Sequence, residues 1–242
     1  MTRTALVTGA SRGIGRAIAL RLARDGFAIG VGYAGQAGKA AEVVDEITAA
    51  GGRAVALRAD VAQSSDVERM FSEAEQALGP VTAVVNSAGV LKMVPMAACT
   101  DADFAALMAI NVTGAFNVLR AAANRLPDGG RIVSISTTVV ATAMPNYGPY
   151  AASKAAVDLF TRVLANEMRG RNITVNAVAP GATATDLFFE GKTQELVDRL
   201  AKASPLERLA VPEDIAGVVA FLLGPDGGWV NGQILRANGG VA

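Results

Sequence analysis

The chain has 242 residues, 51% of them apolar, and its 22 basic and 22 acidic residues give a formal net charge of zero. This length fits one α/β domain, and the balanced charge argues against nucleic acid as a partner. With no histidine and one cysteine, the sequence excludes histidine-based triads, and we expect no metal site. Because Gly or charged residues interrupt the apolar stretches and no secretory leader is visible, we expect a cytoplasmic protein without a membrane span.

Strand-like and helix-like runs alternate along the chain. The predicted strands are Ala5–Thr8, Ala28–Gly32, Ala54–Arg58, Ala83–Asn86, Arg131–Ser136, Thr174–Ala177 and Gln233–Arg236. The predicted helices are Gly13–Arg24, Gly38–Ala50, Ser65–Leu78, Asp103–Arg125, Tyr150–Arg169 and Pro212–Leu222. Such alternation indicates βαβ units with right-handed crossovers. We therefore expect a single Rossmann-like α/β domain over residues 1–242, a doubly wound parallel sheet of about seven strands with helices on both faces.

Helix-boundary residues support three of these predictions. Ser65 precedes a helical pattern and is predicted to be its N-cap. Gly51 and Gly52 are predicted to end the second helix, as glycine often does. Pro212, followed by two acidic residues, is typical of the first turn of a helix.

A glycine-rich turn joins the first predicted strand to the first predicted helix, with the spacing G-x-x-x-G-x-G. Residues without side chains allow a tight turn and a close approach to a pyrophosphate, and the N-terminus of the helix adds free N–H donors. The turn residues predicted to bind a dinucleotide are Gly9, Ser11, Arg12, Gly13, Ile14 and Gly15.

The end of the second strand favours NADP(H) over NAD(H). NAD enzymes usually place a carboxylate there to bind the ribose 2′-OH, but this chain has no acidic residue from the end of the second strand at Gly32 until Glu42. Arg12 can instead pair with a 2′-phosphate. In the alternative interpretation, Arg12 is only a surface residue and both cofactors are accepted.

Further cofactor contacts are predicted where later strands end. Asp60 and Val61 follow the third strand and are expected at the adenine, although an Asp there is often only a turn residue. Asn86, Ala88 and Gly89 end the fourth strand, where small residues let the chain pass the cofactor ribose. Because ligands bind at the carboxyl ends of parallel strands, these residues are expected in one cleft.

Tyr150 and Lys154 form the most specific pattern in the chain. Their i, i+4 spacing places the phenol and the ammonium on one helix face. A neighbouring cation stabilises phenolate, so we expect the pKa of Tyr150 to fall below its usual ~10. Such a phenol is suited to act as the acid or base at a carbonyl or alcohol carbon.

Taken together, the motifs resemble those of the short-chain dehydrogenase/reductase family, most closely its 3-oxoacyl-acyl-carrier-protein reductase-like members. The matching pieces are TGASRGIG at 8–15, NSAG at 86–89, Asn111, the hydroxyl cluster at 136–138, YAASK at 150–154, PG at 180–181 and NGQ at 231–233. They cover almost the whole chain.

The resemblance implies roles for the matched residues. Tyr150 is expected to be the acid/base, Lys154 to bind the nicotinamide ribose beside it, and Asn111 to hold a water that links Lys154 to solvent. The residues expected along the nicotinamide are Pro180, Gly181, Thr183 and Thr185.

The family usually binds the substrate oxygen with a serine hydroxyl 12 or 13 residues before the tyrosine. Here those positions are Thr138 and Thr137. We favour Thr138 from the local sequence match, with Thr137 and Ser136 as alternatives. Threonine keeps the hydroxyl but restricts its rotation.

The substrate is expected to be a small carbonyl or alcohol compound. Segment 182–203 is predicted to be a lid, and an apolar pocket would suit an acyl chain or a hydrophobic ketone. The other predicted walls are Met93, Val94, Met96, Met144 and Pro145. These side chains could instead belong to the core or to an interface between subunits.

Three functions are consistent with the residues. The first is NADPH-dependent reduction of a 3-oxoacyl thioester or hydrophobic ketone, the second is alcohol or sugar oxidation by the same residues, and the third is NADP sensing without catalysis. The resemblance also implies a homotetramer or homodimer, with the helices at Asp103–Arg125 and Tyr150–Arg169 packed across subunits.

Overall fold

The computed structural model describes residues 3–242. The strands among these residues are β1 Arg3–Val7, β2 Phe27–Tyr33, β3 Ala54–Arg58, β4 Val81–Asn86, β5 Arg131–Ile135, β6 Thr174–Pro180 and β7 Ile234–Ala237. The helices are α1 Gly13–Arg24, α2 Ala37–Ala49, α3 Ser64–Leu78, α4 Asp101–Met108, α5 Ala115–Arg125, α6 Val139–Thr142, α7 Gly148–Glu167, α8 Asp186–Phe189, α9 Gln194–Lys202 and α10 Pro212–Leu223.

The strands form one parallel sheet in the order β3-β2-β1-β4-β5-β6-β7. The order reverses between β1 and β4, and this reversal opens a crevice at the carboxyl ends of the strands. The predicted doubly wound α/β fold with seven strands is confirmed.

Helices cover both faces of the sheet. On one face, α1, α2 and α10 pack against side chains such as Val7 and Val85. On the other, α3, α5 and α7 pack against side chains such as Leu6 and Val84. Because both faces are covered, the central strands are buried along most of their length rather than alternating between buried and exposed residues.

Two of the three helix-boundary predictions are confirmed. Gly51, at a φ of 83°, follows the end of α2, and Pro212 begins α10. The prediction for Ser65 was wrong, because α3 begins at Ser64 and the N-cap residue is Gln63.

The predicted helix Asp103–Arg125 is a longer, interrupted helix. It begins at Asp101 because the Thr100 side chain accepts a hydrogen bond from the Asp103 amide, and a π-helical turn at Ala109–Gly114 separates α4 from α5. The stretch Asp101–Arg125 is apolar and long enough to cross a membrane by length and composition alone, contrary to the expectation that no segment would be. Core helices pass the same test, and this one carries buried asparagines at Asn111 and Asn117.

Candidate active site

The turn between β1 and α1 is tightly packed at two of its glycines, Gly9 and Gly15. Gly9 has a φ of 66°, a left-handed conformation that favours glycine. A Cβ on Gly15 would lie only 2.2 Å from the Gly9 carbonyl oxygen. The chain therefore passes tightly into α1, whose first N–H groups face the cleft without a side-chain cap.

This turn forms one end of a cleft of about 770 Å³ along the carboxyl edge of the sheet. Most of the residues predicted from the sequence line it: Gly9, Ser11, Arg12, Gly13, Ile14, Gly15, Asp60, Val61, Ala88, Gly89, Thr138, Tyr150, Lys154, Pro180, Gly181, Thr183 and Thr185. Asn86 and Asn111 lie outside the lining. Asn86 is buried at the end of β4, where its Oδ1 accepts no hydrogen bond, and its role as a cofactor contact stays a prediction.

The adenosine end of the cleft carries the features expected of a 2′-phosphate site. Residues 32–36 at the end of β2 line it without a carboxylate, and Arg12 lies at the N-cap of α1 with its side chain exposed. Asp60 also lines this end, but its Oδ1 accepts a hydrogen bond from the Ala62 amide at 3.0 Å. Asp60 therefore lies at the edge of the cleft, and one of its carboxylate oxygens stabilises the turn that follows β3.

Lys154 is held deep in the site by the end of β5. It is only 6% exposed, and its ammonium group donates a hydrogen bond of 2.8 Å to the Ile135 carbonyl oxygen. Burial lowers the pKa of Lys154 to about 8, and the negative charge of Asp158 opposes that change. A Cβ on Gly89 would lie 3.2 Å from Lys154 Nζ, so a side chain there would crowd the ammonium group.

Tyr150 lies one turn before Lys154 in α7, but the pKa of its phenol is raised rather than lowered as predicted. Burial raises the pKa of Tyr150 to about 12, while hydrogen bonding to the Thr137 hydroxyl opposes the increase. The predicted fall in the pKa of Tyr150 is therefore not seen in this structure, because burial has the largest effect and raises it. The phenol is therefore protonated at neutral pH and is ready to donate a proton.

The hydroxyl cluster after β5 requires a second correction. The Thr138 hydroxyl donates to the Ala179 carbonyl oxygen at 3.2 Å, so it is committed to the neighbouring strand. Thr137 is the residue whose hydroxyl acts on the phenol of Tyr150. The structure therefore favours Thr137 over the predicted Thr138 as the hydroxyl beside the phenol, and the binding of a substrate oxygen stays a prediction. Ser136 faces Asp158 instead.

Asn111 lies in the π-helical turn, which directs its side chain toward the loop after β4. Its Oδ1 accepts from the Val90 amide at 2.9 Å, and its Nδ2 donates to the Val90 carbonyl and to the Ser153 hydroxyl. Asn111 therefore fixes the loop that carries Gly89 beside Lys154. Its expected role in holding a water stays a prediction.

The hydroxyls of Thr183 and Thr185 are both used locally. The Thr183 hydroxyl donates to the Gly181 carbonyl at 3.0 Å, and the Thr185 side chain caps α8 by accepting from the Phe188 amide. The two residues thus shape the wall beside the predicted nicotinamide position and fix the start of α8.

The far end of the cleft is mainly apolar and includes part of the predicted lid. Its lining includes Val90, Leu91, Val139, Met144, Leu187, Phe188 and Leu200. Of the other predicted walls, Met93, Val94, Met96 and Pro145 do not line the cleft, and Met96 is 73% exposed. Met93 and Val94 precede the 3₁₀ turn at Met96–Ala98, whereas Pro145 lies between α6 and α7.

Sequence reasoning missed two polar residues near the reacting groups. Tyr147, three residues before Tyr150, lines the cleft. Asp158, one turn after Lys154, has a buried Oδ1 without a hydrogen-bond partner. The i, i+4 spacing that linked Tyr150 to Lys154 also links Lys154 to Asp158, and extending it by one turn would have identified this carboxylate.

The chain matches known proteins over almost its whole length. A family model described as enoyl-(acyl carrier protein) reductase matches residues 9–242. A short-chain type dehydrogenase/reductase of Picea abies is 46% identical, with 98% of this chain and 92% of that protein covered. This chain belongs to the short-chain dehydrogenase/reductase family.

Other members of the short-chain dehydrogenase/reductase family agree in sequence and shape. An NADPH-dependent aldehyde reductase-like chloroplastic protein of Arabidopsis thaliana is 44% identical, covering 98% of this chain and 93% of its own. The crystal structure of a short chain dehydrogenase from Burkholderia cenocepacia, in complex with NADP, superposes with a TM-score of 0.94 at 36% identity, covering 100% of this chain and 98% of that one. The chain is thus an oxidoreductase of this family.

The residues present fit the nicotinamide dinucleotide that the family uses. The residues of the Gly9–Gly15 turn line the cleft at the N-terminus of α1, whose uncapped N–H groups can bind a diphosphate. Lys154, with Gly89 beside it, provides a buried ammonium at the other end, where ribose hydroxyls would accept hydrogen bonds.

Proposed function

We propose that this chain is an NADPH-dependent carbonyl reductase that acts on aldehydes or ketones with an apolar body, 3-oxoacyl thioesters among them. One observation carries the proposal: a protonated Tyr150 lies beside Thr137 at the apolar end of a dinucleotide-shaped cleft. A protonated phenol beside a second hydroxyl can donate its proton to a carbonyl oxygen, which is the proton transfer that reduction requires.

The chain's own residues supply proton transfer and orientation. Tyr150 donates its proton to the carbonyl oxygen as charge develops there, and the Thr137 hydroxyl donates a second hydrogen bond to the same oxygen. The resulting phenolate is stabilised by the Lys154 ammonium, which Ile135 holds in place. NADPH, when bound, supplies the hydride.

The choice of NADPH over NADH is part of the proposal. The end of β2 offers no carboxylate to a ribose 2′-OH, and Arg12 has its side chain free to approach a phosphate. The relatives from Arabidopsis thaliana and Burkholderia cenocepacia support this choice, since their names record NADPH and NADP respectively.

The test is a spectrophotometric assay of NADPH oxidation with a panel of aldehydes, ketones and 3-oxoacyl thioesters. We expect turnover of apolar carbonyls, and Tyr150→Phe should reduce kcat roughly 100- to 10,000-fold because the proton donor is lost. NADPH affinity should change little in that variant. Tight NADPH binding without turnover of any carbonyl would contradict the proposal and support a sensing role.

We also propose that the chain assembles as a homotetramer or homodimer through α4, α5 and α7. These helices expose large apolar side chains, namely Phe104, Phe116, Leu159 and Val163. Such residues are rare as a group on a monomer surface. Sedimentation of the native chain should show a dimer or tetramer, and Leu159→Glu should dissociate it, whereas a monomeric native chain would refute the proposal.

A further inference from the structure

Tyr147 places a second phenol in the cleft beside the proton donor. It directly precedes α7 and is 6% exposed. Its ring centroid lies 6.3 Å from that of Tyr150, at an interplanar angle of 58°. Both rings line the same cleft.

The hydroxyl of Tyr147 faces the cleft without a partner. Among residues 3–242, burial alone changes the pKa of Tyr147 and no side chain or backbone group hydrogen bonds to its hydroxyl. The oxygen is not sealed from solvent, so it can be reached from the cleft that Tyr147 lines. Buried phenols normally find a hydrogen-bond partner, so a ligand in the cleft is the natural one. Burial raises the pKa of Tyr147, which keeps the hydroxyl a donor at neutral pH.

The backbone before Tyr147 holds it in this position. Ala143 and Asn146 have φ angles of 47° and 71°, which are uncommon for residues other than glycine. The Asn146 carbonyl accepts a hydrogen bond of 2.8 Å from the Val94 amide, and this contact ties the segment to the loop after β4. A conformation of this kind persists where the surroundings enforce it, often at ligand sites.

We propose that Tyr147 donates a hydrogen bond to a second oxygen of the substrate, within two carbons of the carbonyl that is reduced. The inference rests on the proposed reductase function and narrows its substrates to ketones and aldehydes with a neighbouring ester, carbonyl or hydroxyl oxygen. The two rings are neighbours in the cleft, with centroids 6.3 Å apart, so one small molecule with two nearby oxygens can contact both phenols. Because the remaining walls are mainly apolar, a substrate without this oxygen leaves the Tyr147 hydroxyl unpaired.

The test compares two ketones of similar length in the native chain and in Tyr147→Phe. Ethyl 3-oxobutanoate carries the second oxygen, and heptan-2-one does not. We expect Tyr147→Phe to lower kcat/KM for the oxo ester about five- to tenfold, the loss of one hydrogen bond, and to change that for heptan-2-one less than about twofold. Tyr33→Phe removes a phenol hydroxyl from the adenosine end and should leave the ratio between the two ketones unchanged.

The losses of kcat/KM for the two ketones in Tyr147→Phe separate the possible outcomes. Equal losses for both ketones would overturn the inference, because Tyr147 would then serve Tyr150 or the fold rather than a second oxygen. No loss for either ketone would overturn it as well, while leaving the reductase function intact. If the native chain binds NADPH but reduces neither ketone nor any other carbonyl, the proposed function fails and this inference fails with it.

Discussion

The ammonium group of Lys154 donates its 2.8 Å hydrogen bond to Ile135, the last residue of β5. Two residues further along the chain lies Thr137, whose hydroxyl acts on Tyr150. One strand end therefore positions both the cation and the hydroxyl around the phenol. Substitutions at the end of β5 should therefore change kcat more than the free energy of unfolding.

Thr137→Ala should lower kcat by roughly 10- to 100-fold, because the substrate oxygen loses one of its two donors. Thr138→Ala should cost less activity and mainly lower the melting temperature, since its hydroxyl bonds to Ala179. Steady-state kinetics and thermal melts of both variants test this order. A larger loss of kcat in Thr138→Ala would show that the hydroxyl of Thr138 turns toward the substrate.

Asp158→Asn should move the basic limb of the pH profile for reduction to lower pH. Lys154 is an ammonium below its pKa of about 8 and loses its proton above it, and the charge of Asp158 favours the ammonium form. Without that charge, Lys154 deprotonates at a lower pH and stabilises the phenolate less. The other charged groups facing Asp158 are Arg162 and Arg236.

The measurement for Asp158 is kcat/KM against pH. Asp158→Glu should restore the native profile, and Glu167→Gln, at the exposed end of the same helix, should leave it unmoved. A lower melting temperature with an unshifted limb would mean that Asp158 serves only the fold.

Arg12→Ala should weaken NADPH binding roughly 10- to 100-fold, the value of a charge-assisted hydrogen bond, and NADH binding far less. Arg21→Ala, further along α1 and paired with Asp25, is the matched control. Fluorescence titration of both nucleotides gives the two dissociation constants. Equal losses for NADPH and NADH would argue against a phosphate contact.

Gly15→Ala should abolish tight nucleotide binding and lower the melting temperature by about 5 °C or more, because the added methyl would overlap the Gly9 carbonyl. Gly38→Ala introduces the same methyl in the first turn of α2, where no atom lies within 4 Å. That control should be neutral or slightly stabilising. If Gly15→Ala binds NADPH normally, the close turn is not what holds the diphosphate.

The sequence was sufficient to predict the sheet, most of its helices and the two ends of the cleft. Strands such as β5 are apolar runs between clear helical patterns, and a glycine-rich turn between a first strand and a first helix is typical of a dinucleotide site. The sequence was not sufficient for Thr138, because which hydroxyl faces the cleft depends on how the chain turns from β5 into α6. Nor could it predict the raised pKa of Tyr150, since burial is a property of the packed fold.

The proton donor and the substrate walls come from different parts of the chain. Tyr150 and Lys154 lie on α7 against the centre of the sheet, whereas Leu187 and Phe188 belong to the four-residue helix α8 in a connecting segment. Exchange of that segment would alter which molecules are admitted and leave the proton transfer as it is. A chain organised in this way can take up new substrates through changes in one loop while it keeps a single reaction.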